Sequence, residues 1–210
     1  MASPEPREET REGLLVDWGG VLTSSLLDSF AAFCTGEGLA ADAVIATFRA
    51  NPEARRLVAE LETGALSERR FEQRFAALLG VSPERLIDRL LAHALPDRAM
   101  LAAVGRARRA GIRTCLLSNS WGTGRYDRAA LHECFDALVI SGEIGLRKPA
   151  PEIYERAAHL IGLPPERCVF VDDLPLNLAP AAELGMAAVH HLDAARTIPA
   201  LERLLGVALS

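Results

Sequence analysis

Four short stretches of this chain carry side chains able to do chemistry, and each sits at the edge of a patterned segment. Leu14-Leu15-Val16-Asp17-Trp18-Gly19-Gly20 ends an apolar run in a carboxylate followed by a Gly-Gly turn, which would leave that carboxylate open to a substrate. Leu116-Leu117-Ser118-Asn119 offers a hydroxyl and backbone N–H groups in the same way. Gly145-Leu146-Arg147-Lys148-Pro149 places a lysine just before a helical pattern, and Val169-Phe170-Val171-Asp172-Asp173 closes on two adjacent acids. Each has an ordinary structural explanation, since an Asp after a strand commonly serves a turn or a helix cap. Adjacent carboxylates are less ordinary, because they repel unless a cation or a basic group lies close. Their joint occurrence, in order and at successive strand ends, marks the place where open α/β sheets bind ligands.

The elements that must position these groups are short. Apolar runs at Gly13 to Val16, Arg113 to Leu117, Ala137 to Ile140, Cys168 to Val171 and Ala187 to His190 suit strands buried on both faces of a parallel sheet. Helical patterns at Pro151 to Ile161 and at Leu176 to Leu184 alternate with them, the second ending at Gly185 where a helix C-cap favours glycine. The alternation implies βαβ units and an α/β, doubly wound fold. One connection breaks the rhythm. More than 90 residues separate Asp17 from Arg113, where a crossover needs about a dozen. Asp97 to Ala110 can supply the crossover helix. The rest reads as helices at Leu26 to Glu37, Asp42 to Arg49, Pro52 to Leu61, Glu68 to Leu79 and Pro83 to His93, with Ser82-Pro83 as a helix start. We therefore expect an α/β core from residues 13–23 and 96–210, an all-helical cap from 24–95, and a flexible N-terminus over 1–12.

The 210 residues are half apolar and a quarter charged, which excludes a disordered or collagen-like chain. A net charge of −5 gives no electrostatic footprint for nucleic acid. Cys34, Cys115, Cys134 and Cys168 show no metal-ligand spacing and read as reduced thiols of a cytoplasmic protein. The polar first twelve residues have no signal-like apolar segment, and no stretch is long and apolar enough to span a bilayer. The five histidines show no ligand spacing and receive no role. Of 23 basic residues, 22 are Arg, and Lys148 is the one lysine.

With these four motifs in this order, the sequence resembles the haloacid dehalogenase superfamily over nearly the whole chain. It is similar to the subfamily with a helical cap after the first motif, which includes small-metabolite phosphatases and the N-terminal phosphatase domain of soluble epoxide hydrolases. Glu62-Thr63-Gly64-Ala65-Leu66-Ser67 to Phe71 is similar to the substrate-selecting part of that cap. The resemblance implies a Rossmann-like core and a phosphatase of small phosphorylated metabolites. It makes Asp17 the nucleophile that becomes an aspartyl phosphate. Ser118 and the Asn119 backbone N–H would bind the phosphoryl oxygens, and Lys148 would pair with both Asp17 and the phosphoryl group. Asp17, Asp173 and the Gly19 carbonyl would hold Mg²⁺, with Asp172 in contact with the ion or just behind it. Hard oxygen ligands suit Mg²⁺ rather than zinc. No nucleic-acid or membrane partner is implied, and the apolar cap helices could support a homodimer.

One position departs from the resemblance. Most phosphatases of the family carry a second Asp, the proton-transfer group, where this chain has Gly19. Such a group is worth roughly 10²–10⁴ in rate, so a slow enzyme is expected. Two routes avoid the loss: a cap carboxylate such as Glu60 or Glu62, or a leaving group that needs no proton, as in a sugar 1-phosphate or an acyl phosphate. Two alternatives stand beside the phosphatase. A dehalogenase would tolerate Gly19 but leave Asp172-Asp173 without purpose. A non-catalytic phosphate- or Mg²⁺-binding regulator would not need all four motifs. Phosphonoacetaldehyde hydrolases, which have a similar Asp-Trp start, require a cap lysine that this chain lacks.

Overall fold

A computed structural model of the chain describes residues 10–210; positions 1–9 of the stretch expected to be flexible lie outside the described residues. From the N-terminal side the chain forms β1 (Gly13–Val16), then α1 (Leu26–Gly36), α2 (Ala43–Ala50), α3 (Pro52–Glu62), α4 (Glu68–Leu79), α5 (Leu86–Leu90) and α6 (Arg98–Arg109). There follow β2 (Arg113–Ser118), α7 (Arg128–Cys134), β3 (Ala137–Ile140), α8 (Ser141–Ile144), α9 (Pro151–Leu160), β4 (Cys168–Asp172), α10 (Pro175–Glu183), β5 (Ala187–His190) and α11 (Ala194–Leu205). The five strands make one sheet in the order β3-β2-β1-β4-β5, every pair parallel.

The apolar-on-both-faces reading holds for the central strands β1, β2 and β4 but not for the edge strand β5, where Ala188 and His190 are exposed because no strand covers that side of the sheet. Leu14 and Val16 of β1 face a cluster with Met100 and Val104 of α6 and Leu201 of α11. Leu15, with Phe170 of β4, faces the opposite cluster with Ile153 and Tyr154 of α9. Because β1 lies between β2 and β4, Asp17 emerges beside the ends of both, and the motifs converge by register.

Between β1 and α6 the chain leaves the sheet and returns through a short antiparallel contact. Ser24 N donates to the Leu95 carbonyl at 2.7 Å, Asp97 N to that of Leu22 at 2.8 Å, and Thr23 bridges Pro96. Helices α1 to α5 pack around their own apolar cluster, with Phe33, Leu57, Phe71, Phe75 and Leu90 inside. One expected helix, Pro83 to His93, shrinks to α5. Arg85 adopts a left-handed backbone, φ +48°, which a helix cannot continue through, so Ser82-Pro83 starts a turn instead. Among the described residues no helix is long and apolar enough to cross a membrane.

Helix α6, the crossover that brings the chain back to β2, is capped by Asp97, whose Oδ1 accepts from Ala99 N and Met100 N, both at 2.9 Å. Asp42, at the start of α2, makes no such bond. Asp97→Ala is expected to lower stability by about 1 kcal/mol and Asp42→Ala by under about 0.5 kcal/mol, measured by urea unfolding.

Candidate active site

Lys148 is the centre of the site. Its side chain is 1 % exposed, and Nζ lies 2.7 Å from Asp17 Oδ1 and 2.6 Å from Asp172 Oδ2. The loop that carries it is fixed by Asn119 at the tip of β2. Lys148 N donates to Asn119 Oδ1 at 2.8 Å, and Asn119 Nδ2 donates to the Lys148 carbonyl at 3.0 Å. Asp172, fully buried at the end of β4, also accepts from Leu174 N at 2.9 Å and from Asn177 Nδ2 at 3.0 and 3.1 Å. These partners fill its hydrogen-bonding capacity, so Asp172 is a rigid counter-charge that aims the ammonium at Asp17.

Asp17, Asp172 and Asp173 come together so closely that one oxygen from each lies within 4.8 Å of the others. One ammonium among three carboxylates leaves an excess of two negative charges. The consequence is visible in the acids. Burial, helped by neighbouring Asp172 and Asp173, pushes Asp17 up to about 7 against the opposing pull of Lys148. Burial and Asp172 push Asp173 up to about 6. Asp17 and Asp172 hold Lys148 above its ordinary value despite burial.

The loop after β1 is shaped around this cluster. Gly20 has φ +78°, and a Cβ there would stand 2.4 Å from Asp173 Oδ2, so only glycine fits. The Trp18 carbonyl accepts from Leu22 N and Thr23 N, whereas among the described residues no amide donates to the Gly19 carbonyl. A free carbonyl, two strained carboxylates and a net negative charge fit a hard divalent cation. Gly19 itself faces α1: a Cβ there would lie 2.7 Å from Leu26 Cδ1. A leucine from the helical segment therefore fills the space into which a side chain at 19 would project.

Ser118 is placed differently from the other motif residues. It is buried, its Oγ is 2.8 Å from the Tyr126 hydroxyl, and it lines a 210 Å³ cavity with Trp18, Asn119 and Tyr126. Asp17, Lys148 and Asp173 line a neighbouring cavity of about 320 Å³ beneath α1, α2 and α3. Gly19, Leu26, Asn119 and Trp121 belong to both. Trp18 packs on the core and on Tyr126, with ring centroids 5.8 Å apart. Of the two cap acids, Glu60 pairs with Arg56 at 3.8 Å, and Glu62 enters the larger cavity. Glu62 Oε2 accepts from Arg147 Nε at 2.6 Å and from Asn119 Nδ2 at 3.3 Å. Burial raises its carboxyl above the usual range while Arg147 opposes that shift.

Several participants carry no sequence signal of their own. Arg147, Tyr126 and Asn177 join the site through contacts with residues 5 to 85 positions away, and no local pattern announces such pairs. His190 Nε2 lies 3.0 Å from the Asp173 carbonyl, behind the acid rather than in the cavity.

The haloacid dehalogenase-like hydrolase family model matches residues 12–185. The chain belongs to that family. It is a hydrolase with phosphatases among its relatives. The bifunctional epoxide hydrolase 2 of Sus scrofa is 32 % identical over 135 residues, covering 61 % of this chain and 24 % of the relative. The chain thus spans about a quarter of that protein's length. A glyceraldehyde 3-phosphate phosphatase of Methanopyrus kandleri is 41 % identical over 63 residues, 30 % of this chain and 27 % of the relative. In fold, the chain is similar to a haloacid dehalogenase family enzyme of Bacteroides thetaiotaomicron in a magnesium complex. The TM-score is 0.63 at 21 % identity, covering 87 % of this chain and 94 % of the other.

The acid crowding has a measurable consequence. Asp17 and Asp173 have raised values in the folded state, so folding takes up protons between about pH 4 and 7 and their contribution to stability is lost as pH rises through that window. In EDTA, Asp173→Asn is expected to gain stability relative to wild type between pH 5 and 8, by on the order of 1 kcal/mol. Urea titrations at each pH measure the difference.

Proposed function

We propose that this chain hydrolyses phosphate monoesters of small metabolites, with Asp17 as the nucleophile and Mg²⁺ held by Asp17, Asp173 and the Gly19 carbonyl. The observation that carries the reading is the buried Lys148 ammonium, clamped between Asp17 and Asp172 in a cluster still short of positive charge. A structural salt bridge needs no third carboxylate. A site for a dianionic phosphoryl group beside a carboxylate needs this arrangement of charge. The magnesium complex of the Bacteroides relative supports the choice of ion.

In this reading a free oxygen of Asp17 attacks phosphorus while Lys148 neutralises both partners of the collision. The cation would supply the charge compensation that lets two anions meet. Asp172 keeps the ammonium fixed, so no reorganisation is needed as charge shifts. Tyr126, held well above its ordinary value by burial, stays protonated and can donate to Ser118, leaving the Ser118 hydroxyl proton and the Asn119 backbone N–H for phosphoryl oxygens. Residues 13–23 and 96–210 form the catalytic core in this account, and 24–95 form the cap that closes over the larger cavity.

Phosphate release from a panel of aryl, acyl and sugar phosphates tests the reading. Wild type with Mg²⁺ should turn over at least one of them, and EDTA or Asp17→Asn should abolish the activity. Lys148→Arg keeps the charge but replaces a compact ammonium with a planar fork that cannot sit between two carboxylates in this space. We expect kcat to fall by about 10² or more. Wild type no faster than Asp17→Asn on every substrate would refute the proposal.

A further inference from the structure

The cavity over Asp17 has two properties that together specify a substrate. The first is its wall. Leu26, Phe30, Phe48, Val58 and Trp121 line it, and the three leucines at its mouth, Leu27, Leu174 and Leu176, are exposed at 53, 45 and 67 %. Exposed large apolar side chains gathered at one opening mark a binding surface rather than scattered accidents. Most of the charged groups that line the cavity are paired with one another. Glu62 is bound to Arg147 and Asn119, and Lys148 to Asp17 and Asp172. Against this apolar wall, the charged side chains with hydrogen-bonding capacity to spare are Arg147, of which Nε alone is engaged, and Asp173.

The second property concerns protons. Among the described residues, no His, Tyr, Cys or Ser lines this cavity. A proton placed on Glu62 would cost it the 2.6 Å contact with Arg147. Asp17 and Asp172 hold the Lys148 ammonium charged and take up its hydrogen bonds, so it gives up a proton poorly, and Leu26 fills the space beside Gly19. In the phosphoryl-transfer reading Asp17 is the nucleophile and Asp173 is taken up by the cation, so no acid of the lining is left to protonate an alkoxide as it departs.

We infer that the preferred substrate is a phosphate monoester with an apolar body whose leaving oxygen is conjugated to an aromatic ring, an enol double bond or a carbonyl. The inference rests on the phosphoryl-transfer reading of Asp17. In the first step an Asp17 carboxylate oxygen bonds to phosphorus as the ester P–O bond breaks. The electron pair leaves on the conjugated oxygen as a delocalised anion, which collects its proton from bulk water. Water then adds to phosphorus, the bond to Asp17 breaks, and inorganic phosphate departs with the released proton passing to solvent.

Three probes separate the two properties: 2-naphthyl phosphate (apolar, conjugated), 2-(2-naphthyl)ethyl phosphate (apolar, alkyl) and glucose 6-phosphate (polar, alkyl). With wild type and Mg²⁺, the first should exceed the second in kcat/KM by about 10² or more, the usual worth of a proton donor. The second should have a KM at least about tenfold below the third. Leu176→Glu should raise the KM for 2-naphthyl phosphate several-fold. Equal kcat/KM for the two naphthyl esters would reveal a proton donor and overturn the inference. Equal KM for glucose 6-phosphate, or an unchanged KM in Leu176→Glu, would overturn the apolar assignment, with the phosphatase reading intact in each case. Failure of all three esters, with wild type matching Asp17→Asn, would instead remove the phosphatase reading and this inference with it.

Discussion

The structure turns on one buried ammonium. Lys148 sits between Asp17 and Asp172 with almost no exposure, and a charge so placed is tolerated only when its partners are close and themselves satisfied. That requirement propagates outward. Asp172 needs Asn177 and the Leu174 amide; the lysine loop needs the side-chain amide of Asn119; and Asn119 reaches Glu62 from the helical segment. The parallel sheet supplies the rest, because only neighbouring strand ends can bring residues 17, 118 and 172 side by side.

Charge crowding and packing together account for the two glycines after the first aspartate. Gly20 must yield to the Asp173 carboxylate, and Gly19 yields to Leu26. The missing side chain at 19 is thus part of how the helical segment seats on the core. A cavity that is apolar in its wall and poor in free proton carriers is the chemical counterpart of that packing. In the proposed reading, the site holds and attacks a phosphoryl group while the leaving group collects its own proton from water.

Much of this was legible before any coordinates. Strand runs such as Gly13 to Val16 and Cys168 to Val171 are short and apolar throughout, which suits a buried parallel strand better than a half-exposed antiparallel one, and their ends name Asp17 and Asp172. The lone lysine among 22 arginines is the cation that lies within hydrogen-bond distance of both Asp17 and Asp172. What could not be read were pairings without periodicity. Glu62 was a candidate proton source as an acid of the helical segment, and its pairing with Arg147, 85 positions away, carries no sequence signal. Ser118 was expected at the phosphoryl group, and its bond to Tyr126 and its place in the adjoining cavity depend on the loop after β2. The Pro83 to His93 helix was lost to the backbone at Arg85, where a local start signal was overruled by the packing of Leu86, Ile87 and Leu90 into the cap cluster.

The central claim is that Asp17 takes a phosphoryl group from substrate. Rapid acid quenching of the Mg²⁺-loaded protein during turnover of 2-naphthyl phosphate, followed by peptide mass spectrometry, tests it most directly. The account predicts a hydroxylamine-labile phosphate on Asp17, approaching one per chain, because position 19 supplies no carboxylate to assist its hydrolysis. Turnover with no label on Asp17, or with label on another residue, would contradict it.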